Sequence, residues 1–465
     1  MQVLWVAILA AALLSGCTAQ SALVRPVLEE DGELLVYLQP LPQEAELLNF
    51  SLEEIAAVTD GGEARPLRLL TQEIQGSGVR RQRFLASGIL PPGQYDGLSF
   101  KVKTAFLRGE EGPSALLASE EPVTIGFPFR IHKRKAALLC LDLSYKKSVE
   151  GGFRFSPGFS IFVPPPPPIG VVGYAANTRS NNITVFDRME REVVGVIATG
   201  MGPRGIAMGR HSRRAYVVLA EDDAVEVIDT EAGEITDRIR LHTGDEPQEP
   251  ALTLDGEFLF TANAGSDTVS VIDTSSLIEV KRIPVDRGPR SILLGRDGKR
   301  AYVFNARSDT ISVIDVASRS LAATITTVSA PVRGQFNRNG DRLLVIHENS
   351  PYLSVVDPIT LSLRDRVYVG IGMSAIKVDT DTDLPYIGRS PDTLEILDSL
   401  SLFPLEVIPA GGRISYLTID GKENSLYLVL PERRVLSVMN LISRELVPAI
   451  DVGEGASYVT FSGER

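Results

Sequence analysis

The rhythm of apolar and polar positions changes twice along this chain. Val3 to Leu14 is an unbroken run of 12 apolar residues, too short to cross a bilayer as a helix. Between Glu33 and Phe162 short stretches rich in apolar and β-branched residues are separated by Gly61-Gly62, Pro91-Pro92-Gly93 and Gly112-Pro113. This is the pattern of short strands. It predicts strands at Glu33–Leu38, Ser51–Val58, Leu67–Leu70, Arg81–Ala86, Gly97–Leu107, Ala136–Leu143 and Phe153–Phe162, enough for a β-sandwich over residues 27–163. An uninterrupted proline run, Pro164 to Pro168, follows. Polyproline II geometry there predicts a stiff linker over residues 164–168 that holds two domains apart.

After the prolines the rhythm becomes periodic. Ser270-Val271-Ile272-Asp273 recurs as Ser312-Val313-Ile314-Asp315 and Ser354-Val355-Val356-Asp357, with looser copies ending at Asp187, Asp229, Asp398 and Asn440. The steps between the ends are 42, 44, 42, 42, 41 and 42 residues. Each unit reads as four strands. One follows a Gly-Pro such as Gly288-Pro289, a second lies at Ala301–Asn305, a third at Thr310–Asp315 and a fourth at Leu321–Thr326. Turns such as Asp297-Gly298 lie between them. Four strands per unit of roughly 40–45 residues, repeated, make propeller blades. The first copy starts at its second strand, Val171–Asn177, and the last is followed by a spare strand, Ser457–Phe461. The tail is therefore expected to supply the innermost strand of the first blade and close the ring, abolishing its free edge. The fold expected is all-β: an N-terminal β-sandwich, then a seven-bladed β-propeller over residues 169–465 closed by the C-terminal strand.

Tyr302-Val303-Phe304-Asn305 and Phe260-Thr261-Ala262-Asn263, each followed by Ser-Asp-Thr-(Val/Ile)-Ser-Val-Ile-Asp, resemble the YVTN family of β-propeller repeats. The resemblance spans about residues 171–465. It implies kinship with bacterial and archaeal surface proteins, with related propellers in lactonases and redox enzymes. Leu90-Pro91-Pro92-Gly93-Gln94-Tyr95 resembles a turn-and-strand of transthyretin-like or immunoglobulin-like domains. Leu14-Ser15-Gly16-Cys17, at the end of the apolar run, resembles the bacterial lipobox at all four positions, although no Lys or Arg precedes it. That resemblance implies a signal peptide over residues 1–16, lipidation of Cys17, and a tether over residues 17–26. Thr18 after the cysteine implies sorting to the outer membrane, facing the periplasm or the exterior. Cleavage would also remove Trp5, the only tryptophan.

A formal net charge of −12 without a long basic run excludes the clustered Lys and Arg that phosphate backbones require. The one basic cluster, Arg130 to Lys135, reads as a solvated turn. Two cysteines permit no disulfide framework, and Cys140 in an apolar strand reads as a buried, inert thiol. The four histidines, His132, His211, His242 and His347, are too scattered for a metal centre. No cofactor is expected.

The place to look for chemistry is the channel mouth, where the loops entering the innermost strands converge; the alternative is that its side chains pair with backbone carbonyls or are simply solvated. Twelve residues upstream of the second-strand aromatic stand Arg204, Gln248, Arg290, Ser374 and Ser415, with Arg333 and Arg413 slightly out of register. Such a ring suits a carboxylate or phosphate ligand. The aspartates that recur in six of the seven copies are expected to cap turns, because a catalytic pair breaks a repeat in one or two blades only. His347, with Glu348 beside it, does break the repeat. No nucleophile elbow, phosphate loop or haem motif is present. The expected function is an envelope-anchored, non-catalytic binding or assembly scaffold with a protein or glycan partner. The competing expectation is a lactonase- or lyase-like enzyme acting on an anionic small molecule at the mouth, with His347 or a carboxylate as base.

Overall fold

The computed structural model describes residues 28–110, 112–166, 170–209 and 212–462. The expected leader, Cys17 with its tether, the end of the proline run and His211 lie outside the described residues.

Seven four-stranded antiparallel sheets follow one another around a ring. In blade 4, Pro289–Leu294, Arg300–Asn305, Thr310–Asp315 and Ser320–Thr326 run from the channel outward. Each innermost strand neighbours the next, and the circuit ends with Ala456–Phe461 against Pro203–Met208. Ala456–Phe461 also pairs antiparallel with Val172–Asn177, matching Gly173 to Phe461 and Ala175 to Val459. Blade 1 is thus built from both ends of the propeller, and the ring is closed as the repeat count requires. The recurring Asp caps a turn in every blade that carries it. Asp273 Oδ1, for example, accepts the N–H groups of Ser275 and Ser276 at 2.9 and 2.8 Å.

The N-terminal part is a ten-stranded sheet that turns a corner. Ala64–Leu69 forms the corner: residues 64–67 pair with Leu48–Thr59, while Arg68 and Leu69 pair with Arg83–Leu90. The two halves enclose one core that includes Leu34, Val36, Phe50, Leu98, Phe100, Leu139 and Phe159. Val123–Ile131 is a strand that the sequence pattern passed over. It carries Pro128, yet it pairs on one side only, with Gly93–Gly109, and an edge strand tolerates the missing donor. Arg130 and Ile131 end that strand, and the turn following it holds the rest of the basic cluster.

The expectation that the proline run holds the domains apart is wrong. Leu35, Tyr37, Phe84, Leu138 and Cys140 of the sandwich share one apolar cluster with Phe186, Tyr427, Leu436 and Phe461 of the propeller. Tyr37 and Phe84 stack with ring centroids 4.6 Å apart. Asp451 of blade 7 accepts from Arg81 at 2.6 Å, from Arg83 at 3.0 Å and from the Phe84 N–H at 3.0 Å. Gln82 bonds the backbone of Val193 with both ends of its amide. Gly32–Leu38 is buried throughout because it has two partners: Leu34, Val36 and Leu38 face the sandwich core, and Leu35 and Tyr37 face the propeller. Apolar contact of this extent outweighs the stiffness of five prolines.

Candidate functional site at the channel mouth

The mouth is built by a local device repeated around the ring. The residue before the innermost strand has positive φ in six blades: Gly202, Glu246, Gly288, Ala330, Gly372 and Gly455. Glycine, which alone adopts this conformation without strain, occupies four of the six. Immediately after the first paired residue the ladder slips. Pro289 pairs with Asn305 but Ser291 pairs with Phe304, leaving Arg290 as a bulge. Gln248 and Ser374 are left out in the same way, and in blade 2 the slip falls on Arg204 and Gly205. A bulge re-aims its side chain away from the ladder. Here the re-aimed chains of Arg204, Gln248, Arg290 and Ser374 meet Arg333, Arg413 and Ser415 around one cavity of about 200 Å³.

These residues do not play equal parts. Arg333 belongs to the position after the bulge, because in blade 5 the bulge residue is Val332. It reaches across the channel to Glu249, 2.7 Å away, and lies 4.8 Å over the ring of Tyr416. Tyr416 in turn lies against Tyr458, with centroids 4.3 Å apart. Arg333, Glu249 and the tyrosines therefore make an internally neutralised group. Gln248 donates to the backbone carbonyl of Glu246. Arg413 stands in the loop before the Tyr416–Asp420 strand and is exposed. Arg204, Arg290 and Arg413 form no ion pair with any described residue, and the buried Nε of Arg204 has no hydrogen-bond partner. Burial, then the neighbouring charge of Arg290, pulls the Arg204 guanidinium below its ordinary range. Two like charges held close in a recess favour an anion between them.

Glu249 and Glu348 line the same cavity; the sequence reading passed over Glu249 and noted Glu348 only as the neighbour of His347. Glu249 had a signal, since Pro-Gln-Glu-Pro replaces the Pro-Arg-Ser-Ile of blade 4. Its carboxyl is raised by burial, against the pull of Arg333. His347 is not in the mouth. Its ring is fully buried, with Nδ1 3.1 Å from the Ser329 carbonyl and Nε2 2.8 Å from the Ser354 hydroxyl. Burial holds it down to about 4. As a base for chemistry at the mouth it is excluded by position.

Of the other candidates, His132 is exposed in the basic turn and His242 lies 3.9 Å from Glu279 on the surface. No group of three or more His, Cys, Asp or Glu suited to a metal occurs among the described residues. Cys140 is buried in the seam between domains, where burial pushes its thiol up to about 12.

Residues 188–336 match the family described as "Lactonase, 7-bladed beta-propeller", about a third of the chain. No curated protein matches. Among solved structures the chain is similar to a functionally unknown protein from Desulfotomaculum acetoxidans DSM 771, with 14% identity and a TM-score of 0.54. That likeness covers 62% of this chain and 98% of the other. It is also similar to the dihydro-heme d1 dehydrogenase NirN in complex with DHE, with 13% identity and a TM-score of 0.52, over 64% of this chain and 77% of that one. At such identities the likeness is one of fold.

Proposed function

We propose that this protein is an envelope-anchored lipoprotein whose propeller mouth binds a small, multiply charged anion bearing carboxylate or phosphate groups, without turning it over. The observation that carries the reading is the convergence of Arg204, Arg290 and Arg413 on one cavity, none of them ion-paired to a described residue although Glu249 and Glu348 share the lining. Guanidinium forks match carboxylate and phosphate geometry, and a partly desolvated site strengthens the bond. Anchoring rests on the Leu14–Cys17 resemblance alone. Calorimetric titration with citrate and with pyrophosphate tests the mouth. Arg290→Glu and Arg204→Gln are expected to weaken binding at least about tenfold, the loss of one charge-assisted bond. Unchanged affinity in both variants overturns the reading. Mass spectrometry of the protein purified from membranes, against a Cys17→Ser variant, tests the anchor.

A second reading, a lactonase-like hydrolase at the same mouth, draws on the family match over residues 188–336. Lactone opening yields a hydroxy acid, an anion of the class the arginines would hold. The base available to it is weak: Glu249 is tied to Arg333, which leaves Glu348 at the rim. Turnover of a panel of lactones that is lost in Glu348→Gln or Glu249→Gln would favour this reading over simple binding.

A further inference from the structure

Glu226 breaks the repeat at a place where the break leaves a charge without its brace. In blades 3, 4 and 5 the equivalent residue is Ser270, Ser312 or Ser354, each bonded to Asn263, Asn305 or His347 at the end of the second strand. Blade 6 carries Glu395, and there Arg389 takes the asparagine's place and meets it at 2.7 Å. Blade 2 has the carboxylate but sets Leu219 opposite. Glu226 is 4% exposed. Its oxygens accept the Gly200 N–H at 3.2 and 3.3 Å. Arg238 approaches only to 3.6 Å, its other nitrogen being bonded to Asp222 at 2.6 Å. A buried carboxylate that shares its cation with a better-placed acid is under-compensated.

That carboxylate lines a cavity of about 600 Å³, a volume typical of small-molecule sites. The cavity lies between the sandwich turn at residues 133–136 and blades 1 and 2 of the propeller. Its walls are mixed: Val196, Ile197, Ala198 and Ile235 are apolar, while charged groups stand at the sides. The cations among them are engaged, Lys133 by Glu30 and Lys135 by Glu234 at 2.5 Å. Arg134 donates to the Glu29 carbonyl.

We infer that this seam cavity binds a small organic ammonium, its N–H groups bonded to the Glu226 carboxylate and its apolar part against Val196, Ile197 and Ile235. A bound cation supplies at close range what blade 6 obtains from Arg389 and what Arg238, at 3.6 Å and tied to Asp222, gives Glu226 only in part. Burial pushes the Glu226 carboxyl up to about 7. Asp222 and Arg238 face it from blade 2, and Glu29, Arg134 and the Lys135–Glu234 pair face the same space. Binding therefore strengthens as pH rises through neutrality, while the ammonium is still protonated.

The test is calorimetric titration of the full chain with benzylammonium, with benzyl alcohol as the neutral isostere. Saturable binding is expected at about pH 8, roughly tenfold weaker near pH 6 and lost in Glu226→Gln. Ala198→Leu, which narrows the cavity without touching the carboxylate, is expected to weaken it too. Arg290→Glu at the mouth, whose lining shares no residue with this cavity, should leave it unchanged. Benzyl alcohol binding as well as benzylammonium, retention of binding in Glu226→Gln, or no saturable binding up to about 10 mM overturns the inference.

Discussion

Asn263 donates to Ser270 at 2.8 Å, and His347 reaches Ser354 over the same 2.8 Å from Nε2. The imidazole has therefore taken over a structural bond, and its oddity in the repeat says nothing about catalysis. His347→Asn is expected to keep stability within about 1 kcal/mol, whereas His347→Ala, which empties the space of a buried ring and strands the buried Ser354 hydroxyl, should cost roughly 2–4 kcal/mol. Urea unfolding measures both. The pH dependence of this side chain follows from its direction. A buried neutral imidazole titrating near 4 binds fewer protons than it does unfolded, so its contribution is lost as pH falls from about 6.5 toward 4. Glu226 works the opposite way. Its raised carboxyl holds a proton that the unfolded chain has released, so stability falls as pH rises from about 4.5 through 7. Single variants separate them: His347→Asn should steepen the loss above pH 4.5, and Glu226→Gln should remove it. The turn aspartates add a third window. Asp273 is held down at about 2 by the Ser275 hydroxyl first and then by the Ser276 N–H. Its stabilisation is present above the ordinary aspartate range and disappears as pH falls toward 2, so Asp273→Ala should flatten the acid limb of the melting curve.

Strand by strand, the blades show how the repeat protects itself. The second and third strands are almost entirely buried, as in Arg300–Asn305 and Thr310–Asp315, while the outermost strands such as Ile278–Pro284 alternate with charge. Ala456–Phe461 has no hairpin partner in its own neighbourhood of the chain. It closes the ring through a pairing that spans nearly the whole propeller. Truncation after Gly455 would uncover the edge of Val172–Asn177 together with Phe186 and Tyr427, which Phe461 covers. The expected outcome is loss of the monomer peak in size-exclusion chromatography and a less cooperative melt, because an uncovered strand edge templates association. Full monomer recovery in the truncated chain would contradict the closure. Strand Gly32–Leu38 carries a different lesson. Its lack of alternation signals burial on both faces, a hint of the seam that the pattern held and that the proline run obscured.

At the level of the whole molecule, sandwich and propeller are joined by the apolar cluster around Tyr37, Cys140 and Phe186 and by the Asp451 ion cluster. Asp451→Ala would leave Arg81 and Arg83, both partly exposed, without their acid and the Phe84 N–H without its acceptor, at a cost of about 1–3 kcal/mol. Because that loss falls on the seam, it should split one unfolding transition into two in calorimetry. A single unshifted transition would show that the seam contributes little. The two candidate sites lie in different settings. The mouth belongs to the ring alone, while the Glu226 cavity exists only where both domains meet.

The sequence by itself determined the all-β class, the number of blades and the closure by the tail, because each depends on spacing and a repeat states its spacing seven times over. It also marked the turn aspartates as structural, for the same reason. Only the tertiary structure decided which arginines are free. Arg333 is one residue out of register, and that single step turns it from the rim toward Glu249, 84 residues away in the chain. It likewise decided that the domains touch and that Glu226 borders a cavity. These depend on contacts between segments distant in sequence, where burial and competing partners, not local pattern, set the energy.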